Sequence, residues 1–456
     1  MINCILQGWP PSPLDVFNSK RARGDSNLLP VDGCCFMDQV SLIEYIGAGL
    51  FSLALLHSFS TKFFVRLAKR SSSHSGLLMM LGEVEVVFGF WAFVLLGFMS
   101  AVDGYQSAVE YLDTRNFTEP LFVFVILVIA GTRPVLQAAQ LLIDALDRLI
   151  PFPGTTVYYF LTLSIVPILG SFITEPAAMT LGAIILRDRY FTKRIPETMR
   201  YLTIAILLVN VSIGGVLTPY AAPPVLMVAG KWGWGLHHML MNFGWKAVIA
   251  IFLNALIACL VFRKVLFSMG KQHEDHEVPR VPLVVMLIHL MALVLVVLFS
   301  HHPAVFMGVF LLFLGFTEAY HRYQSPLMLR EGLLVAFFLA GLVVLGGLQK
   351  WWLEPILSSM GSTVLFGGAT MLTAITDNAA LTYLGSLVED LSEVSKYALV
   401  AGAVTGGGLT VIANAPNPVS FSLLKNTFEH QSISPLSLFL YALTPTVIAG
   451  CCFMLL

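Results

Sequence analysis

Apolar residues fall in long runs along most of the chain, and these runs predict membrane-spanning helices. A helix needs roughly 20 apolar residues to cross a bilayer. The runs that approach this length lie at about 38–58, 77–101, 118–141, 200–217, 245–262, 281–300, 303–320, 330–349, 397–412 and 436–456. Shorter apolar pieces lie at 155–173, 177–186, 363–375 and 379–388. We expect each of these shorter pieces to be too short to span the membrane comfortably.

A polar step interrupts the shorter pieces and divides them into two pairs. The step is Thr-Glu-Pro at 174–176 in the first pair and Thr-Asp-Asn at 376–378 in the second. Two short apolar helices joined in this way are typical of a re-entrant hairpin. Irregular backbone at membrane depth is tolerated only where protein or a water-filled cavity surrounds it. We therefore expect both hairpin tips to face a cavity.

The two halves of the chain carry the same landmarks in the same order, which predicts an internal repeat. Ile-Thr-Glu-Pro-Ala-Ala at 173–178 aligns with Ile-Thr-Asp-Asn-Ala-Ala at 375–380. A glycine-led break follows in each half, at 214–224 and at 407–417. Each half then comprises three helices, a re-entrant hairpin, a broken helix and a final helix. Hairpins do not cross, so each half crosses five times and the second is inverted, as in many transporters.

The predicted fold is thus an all-α polytopic membrane protein made of two inverted-topology repeats. The first transmembrane repeat is expected at 38–266 and the second at 281–456, with a cytoplasmic linker at 267–280 between them. Residues 1–37 are polar and rich in proline, with no continuous apolar stretch of the kind found in a signal peptide. We expect this segment to be a disordered tail.

Loop charge predicts the orientation, since cytoplasmic loops carry an excess of Lys and Arg. The predicted loops at 62–70 and 187–200 and the linker region at 263–280 are basic, and all three fall on one side of this topology. The loops at 103–119 and 389–393 are acidic and fall on the other. The first hairpin is therefore expected to enter from the cytoplasm and the second from outside.

Composition supports the membrane assignment and excludes other classes. The chain is 57% hydrophobic and 12% charged, whereas soluble domains carry about 25% charged residues. The net charge of −1 leaves no case for nucleic-acid binding, which requires a clustered basic face. The 6 cysteines show neither metal-ligand spacing nor a disulfide framework. We expect no cofactor, and no metal beyond a transported cation.

Glu175 and Asp377 are the strongest candidates for chemistry, because a charge at the bilayer centre costs about 2.5–3.5 kcal/mol on insertion scales. Acids at matching positions in both halves suggest one shared task. If both face a central cavity, a cation and protons can compete for them, which is the minimal chemistry of an antiporter. The alternative is that each carboxylate caps the short helix that it begins. Capping and cation binding are compatible.

Further oxygen-bearing residues lie beside these acids and in the breaks. Hydroxyl and amide oxygens suit hard cations, although the same groups also bond helix ends. Glycine and proline in the breaks free backbone carbonyls, which can coordinate a cation, or they simply kink a helix for packing. The candidate supporting ligands are Thr174, Thr376, Asn378, Asn414 and Asn417. The candidate backbone breaks are Gly214, Gly215, Pro219, Gly407, Gly408 and Pro416.

Glu83 and Glu85 are accessory candidates in the second predicted helix. Residues two apart point to different faces of a helix, so at most one of them is expected to reach the cavity easily. The two repeats also differ in their polar residues. Asn414 and Asn417 occur only in the second, so we expect an asymmetric site in which Asp377 has the richer ligand shell.

The twin hairpin motifs and twin breaks resemble those of the ion transporter superfamily, and most of all its sodium/proton antiporter branch, related to NhaD-type antiporters. The resemblance covers most of 38–456. It implies an inverted repeat with two opposed hairpins, a homodimer formed through a scaffold domain, and a multi-pass protein of a bacterial-type inner membrane. Dicarboxylate and citrate carriers of this superfamily place Ser-Asn-Thr at each hairpin tip. Of these tip residues only Asn378 keeps the amide character here.

The resemblance and the acids together favour a secondary-active cation/proton antiporter, and we expect it to exchange Na⁺ for H⁺ by alternating access at a midplane carboxylate site. Li⁺ and K⁺ also suit oxygen ligands. A carboxylate or other anion carrier of the same superfamily is the main alternative, but fixed carboxylates would repel such a substrate. An enzyme is not expected, because an intramembrane hydrolase would need the two acids close enough to share a proton.

Overall fold

The computed structural model describes residues 40–70, 74–150, 152, 154–193, 195–269, 281–428 and 432–456. All elements below belong to one compact unit, Leu42–Leu456. Its described part is helical throughout and contains no strand. The predictions for the tail at 1–37 and for most of the linker at 267–280 lie outside the described residues.

The first half begins with helices that follow the apolar runs and ends with a short helix before the linker. Its helices are α1 (Leu42–Arg70), α2 (Ser75–Leu81), α3 (Val84–Val102), α4 (Tyr105–Asp113), α5 (Thr118–Ala130), α6 (Arg133–Leu149), α7 (Thr156–Ile173), α8 (Glu175–Leu186), α9 (Glu197–Gly214), α10 (Pro223–Trp232), α11 (Leu236–Val261) and α12 (Arg263–Ser268). Short π turns follow α8 at Arg187–Phe191 and lie within α11 at Leu240–Gly244.

The second half has a similar order of elements with fewer short helices. Its helices are α13 (Leu283–Leu298), α14 (Pro303–Ala319), α15 (Leu329–Gly346), α16 (Lys350–Ser358), α17 (Ser362–Ile375), α18 (Asn378–Ser386), α19 (Glu393–Gly406), α20 (Asn417–Leu424) and α21 (Pro435–Leu455). In both halves, long helices precede a closely spaced pair (α7 and α8, then α17 and α18), a broken helix (α9 and α10, then α19 and α20) and a final helix (α11, then α21). The inverted orientation of the halves stays a prediction.

Several described helices are suited to a bilayer. Seven are long and apolar enough to cross a membrane, or eight if the bent pair α5 and α6 is one span. The apolar helices α13, α14 and α17 are shorter. Helix α7 is among the seven and has the length and composition of a span. The prediction that the piece at 155–173 is too short to span the membrane comfortably is therefore corrected. Five crossings in each half stay a prediction.

The structure differs from the predicted helices at three places in the first half. Residues 62–70, predicted as a basic loop, continue α1 to Arg70, because Lys and Arg are good helix formers that can extend a helix beyond an apolar run. The run at 77–101 divides into α2 and α3 at Gly82. The run at 118–141 divides into α5 and α6, which are bent by 64°. Pro134 in the first turn of α6 explains this bend, since proline lacks a backbone N–H and would clash with the carbonyl four residues earlier in a continuous helix.

Cross-packing between the halves positions the hairpin tips near the breaks. Helix α8 packs on α20 of the other half, and α18 packs on α10. The central helix is α9, where 89% of the apolar window is buried inside the protein. The two pairs differ in detail: α7 and α8 pack along each other, whereas α17 packs mainly on α19 and diverges from α18. The first pair is therefore a tight hairpin, and the second is splayed.

Candidate cation site

Glu175 is the most enclosed acid of the site. It is the first residue of α8 and its side chain is fully buried, with an exposed fraction of 0%. Its Oε2 accepts a hydrogen bond from Nδ2 of Asn414 at 2.8 Å. Its Oε1 has no hydrogen-bond partner in the part of the chain that the structure describes. The carboxylate makes no capping bond to the first turn of α8, so capping does not explain this acid.

Asp377 has a different role at the second tip. It is the N-cap of α18, and its Oδ1 accepts hydrogen bonds from the backbone N–H groups of Ala379 at 2.8 Å and Ala380 at 3.2 Å. The side chain is half-buried. The capping alternative therefore applies to this acid and leaves Oδ2 for a ligand.

Thr174 joins α7 to α8 in an unusual backbone conformation. Its φ is 73° and its ψ is 152°, and it is the one non-glycine residue with positive φ among those described. This region is essentially restricted to glycine and costs on the order of 1–3 kcal/mol. The side chain is 2% exposed, and its hydroxyl has no hydrogen-bond partner among the described residues. Backbone strain together with an unused hydroxyl makes this tip a candidate functional position.

The residues that flank Asp377 have unequal surroundings. Thr376 donates its hydroxyl to the carbonyl of Leu372 at 2.7 Å, so the alternative of helix-end bonding applies to it. Asn378 is fully buried, and neither atom of its amide group has a hydrogen-bond partner within the described segments. Its backbone N–H donates to the carbonyl of Ala413 in the second break at 3.2 Å. Asn378 is therefore the free polar side chain of the second tip.

The first break is held to the first hairpin by Ser171 of α7, which sequence reasoning missed. The Ser171 hydroxyl donates to the carbonyl of Gly214 at 2.6 Å and accepts from the backbone N–H of Leu217 at 3.0 Å. Its carbonyl accepts from the hydroxyl of Thr218 at 2.7 Å. The signal in the sequence was a serine in an apolar run close to the hairpin tip. Pro219 lies in the irregular segment before α10, as predicted for a break.

The second break is longer and is held partly by its own side chains. Residues 407–416 are irregular. Asn417 donates from Nδ2 to the carbonyls of Gly407 and Thr410, both at 2.8 Å, and Thr410 donates its hydroxyl to the carbonyl of Ala374 at 2.8 Å. The expectation of unpaired carbonyls is therefore corrected for Gly407 and Thr410. Oδ1 of Asn417 is buried, and no described group bonds to it.

Glycines in both breaks allow the backbone there to lie in direct contact with residues of the hairpin tips. A Cβ added to Gly215 would lie 2.5 Å from Oε1 of Glu175. A Cβ added to Gly407 would lie 2.9 Å from Nδ2 of Asn378 and would also overlap the hydroxyl of Ser212. Ser212 itself donates to the carbonyl of Val404 at 2.7 Å. The neighbouring break glycines are equally confined, Gly214 against Pro167 and Gly408 against Val209.

A cavity of about 250 Å³ lies beside the first tip. Thr174 and Pro176 of the tip line it, together with parts of both breaks at 220–223 and 415–419. Pro416 lies in the second of these segments. Glu83 and Glu85 also line the cavity, which corrects the expectation that at most one of them reaches it. Glu83 is the extended N-cap residue that precedes α3 and Glu85 is in the first turn, so helical spacing does not separate them.

The structure joins some predicted site residues and separates others. Asn414, expected to enrich the surroundings of Asp377, instead binds Glu175 of the other half. The assignment of Asn414 to the surroundings of Asp377 is therefore corrected, whereas the comparison of the two ligand shells as a whole stays a prediction. Asn414 bonds Glu175 of the first tip, and the backbone N–H of Asn378 bonds Ala413, so the second break contacts both hairpin tips.

Apolar helices, two broken helices and buried acids at paired tips are the architecture of a multi-pass secondary transporter. The family model described as "Putative Na⁺/H⁺ antiporter" matches residues 42–456, which is nearly the whole chain. The chain belongs to this family, and its general activity is cation/proton antiport across a membrane. No curated protein matches the chain.

Proposed function

We propose that this protein exchanges Na⁺ for H⁺ by alternating access at the site between the hairpin tips and the breaks. One observation carries the proposal: several side-chain oxygens of the hairpin tips and of the second break with its following helix are buried and have no hydrogen-bond partner among the described residues. These atoms are Thr174 Oγ1, Glu175 Oε1, Asn378 Oδ1, Asn414 Oδ1 and Asn417 Oδ1. A buried polar atom left unbonded costs about 1–3 kcal/mol, so such a group of oxygens calls for a ligand.

The chemistry of these oxygens suits a hard monovalent cation. A carboxylate, amides and a hydroxyl supply oxygen without nitrogen or sulfur, which favours alkali cations over transition metals. In this proposal Na⁺ binds to Oε1 of Glu175 and to neighbouring amide oxygens, while Asp377 contributes its uncapped oxygen. A proton on Glu175 removes the negative charge that retains Na⁺. Proton binding and Na⁺ binding therefore exclude each other.

Packing supports a division into a moving unit and a surrounding scaffold. The hairpins and broken helices bond to one another, as Ser171 does with Gly214 and Thr410 does with Ala374. Helices α3 and α15 instead cross so closely that a Cβ on Gly341 would overlap the backbone of Gly89. The cavity lies between these two groups. We propose that the hairpins and broken helices move as a unit against the remaining helices, and that the two hairpins enter from opposite faces.

Everted membrane vesicles loaded with a pH-sensitive dye test the function. Addition of Na⁺ to wild-type vesicles should release the proton gradient, and Li⁺ and K⁺ in parallel define the selectivity. Glu175→Gln and Asp377→Asn should each reduce Na⁺-dependent proton flux, whereas Glu318→Gln, a change at an exposed acid outside the site, should not. Full flux in both site variants would rule out the assigned carboxylates.

The resemblance also supports a homodimer in a bacterial-type inner membrane. We propose that the scaffold forms the dimer contact. Crosslinking in native membranes followed by mass measurement tests this, and a strictly monomeric product would contradict it.

A further inference from the structure

The cavity beside the first tip, called the vestibule below, contains one basic side chain among its acids. Glu83, Glu85 and Glu331 line it, and so does Arg330 at the start of α15. The remaining lining is mainly apolar. Fixed charges of one sign in a cleft with low-dielectric walls raise the local concentration of counter-ions. The acidic excess therefore attracts cations, and Arg330 modifies that attraction.

Arg330 forms an ion pair with Glu83 across the vestibule. The Arg330 side chain is 69% exposed and that of Glu83 is 24% exposed. Such a solvated pair is weak, so it can open and close. No ion pair to Glu85 is found in the described residues, and Glu85 faces the same cavity. Of the two lining acids near the start of α3, Glu83 is thus occupied and Glu85 is open, while the third lining acid, Glu331, is exposed in the first turn of α15.

A buried polar group connects this vestibule with the ion path. Thr174, 2% exposed and with an unbonded hydroxyl, lines the vestibule immediately before Glu175. Glu85 lines the same cavity, so a cation held there lies close to the residue that precedes Glu175.

We propose that Arg330 is a tethered cation that occupies Glu83 and thereby keeps the vestibule an entry site for monovalent cations. Glu85, the open acid near the start of α3, then attracts Na⁺ loosely enough to release it toward the tip. Without Arg330, the carboxylates of Glu83 and Glu85 would both be open at one small cavity, and Ca²⁺ takes several carboxylate oxygens as ligands. A divalent ion held there would block the path. This inference rests on the proposed Na⁺/H⁺ exchange, but the preference of the vestibule for monovalent over divalent cations can be measured separately.

The tether explains why a weak ion pair is sufficient. A group attached through a short flexible linker is present at an effective concentration in the millimolar range, so free Na⁺ at similar levels does not displace it. A divalent ion that bridges both acids gains a second attraction and competes far better. Arg330 therefore makes the vestibule select cations by their charge more than by their size.

Arg330→Gln tests the proposal in the exchange assay. We expect Ca²⁺ to inhibit Na⁺/H⁺ exchange by this variant at concentrations about tenfold or more below those that affect the wild type, equivalent to about 1.4 kcal/mol. Arg330→Lys should retain the wild-type resistance because it keeps a tethered charge. Glu83→Gln combined with Arg330→Gln should restore resistance, because Glu85 is then again the one open acid near the start of α3. Arg322→Gln is the matched control, since Arg322 is exposed nearby and contacts Tyr323.

Calcium binding to the purified protein gives a readout that does not depend on transport. Ca²⁺ should raise the melting temperature of Arg330→Gln more than that of the wild type or of the double variant, with choline chloride as the ionic-strength control. Equal Ca²⁺ responses in all variants would overturn the role of Arg330. Absence of Na⁺/H⁺ exchange in the wild type would instead overturn the proposed function. If Arg330→Gln fails to fold, Glu83→Gln alone tests the proposal. In that variant Arg330 loses its partner and can pair with Glu85 instead, so the KM for Na⁺ should rise. An unchanged KM would contradict the proposal.

Discussion

Asn414 in the second break donates a hydrogen bond to Glu175 at the first hairpin tip, with 2.8 Å between Nδ2 and Oε2. The two residues belong to different halves of the chain, and both are buried. The bond therefore links the most enclosed acid of one half to the irregular backbone of the other. It holds one carboxylate oxygen and leaves Oε1 of Glu175 and Oδ1 of Asn414 without a hydrogen-bond partner among the described residues.

Removal of this bond should weaken ion binding more than it weakens the fold. A hydrogen bond to a charged group contributes about 1.5–3 kcal/mol, so Asn414→Ala should raise the KM for Na⁺ by roughly tenfold or more. Na⁺-dependent proton flux across a range of Na⁺ concentrations measures this. Asn116→Ala is a suitable control, because Asn116 is an exposed residue that bonds Glu119 away from the site. An unchanged KM would show that Asn414 does not orient Glu175 for the ion.

The two acids should differ in their tolerance of neutral substitution. Glu175 has no capping role, so Glu175→Gln removes only the charge of the fully buried carboxylate. Asp377 caps α18, and asparagine is an equally good N-cap. Asp377→Asn should therefore keep the helix and lose less flux than Glu175→Gln, whereas Asp377→Ala should also lower thermal stability by about 0.5–2 kcal/mol. Flux and melting temperature measured together separate the two effects. A larger flux loss in Asp377→Asn would reverse this ranking.

Much of the fold could be predicted because the bilayer imposes a simple rule on the sequence. Apolar runs marked most helices, and the Thr-Glu-Pro step at 174–176 marked a tip that does separate α7 from α8. Charge was a weaker guide. The basic residues at 62–70 predicted a loop, yet they continue α1, because hydropathy reports where a chain is apolar and not where its helix ends.

The site could be predicted only as a set of residues, without their pairing. Matching positions suggested Glu175 and Asp377, but proximity in the repeat led to the wrong assignment of Asn414. Its partner lies in the other half because α8 packs on α20, and such cross-packing leaves no local trace in the sequence. Ser171 was missed for the same reason. Its role depends on hydrogen bonds to Gly214 and Leu217, which are distant in the sequence.

Thr174 is expected to lower the stability of the protein while supporting transport. Glycine at this position would relieve a backbone with φ of 73°, and we expect Thr174→Gly to stabilise the protein by about 1 kcal/mol, within the range for such strain. The same change removes the buried hydroxyl, so Na⁺-dependent flux should fall. Thr174→Ser keeps the hydroxyl and should keep most of the flux. Melting curves and flux measured on the wild type, Thr174→Gly and Thr174→Ser make the comparison. A fully active Thr174→Gly would show that the hydroxyl does not contact the ion.

Gly215 gives the sharpest steric test of the site. A methyl group there would lie 2.5 Å from Oε1 of Glu175 and 2.9 Å from Cβ of Ala222, which is too close for either neighbour to stay in place. Gly215→Ala should therefore displace the free oxygen of Glu175 and abolish most Na⁺-dependent flux. Gly97→Ala is the matched control, because a Cβ at Gly97 in α3 meets nothing within 4 Å and alanine favours a helix. If both variants reach the membrane at wild-type levels and Gly215→Ala still transports normally, Oε1 of Glu175 is not an ion ligand.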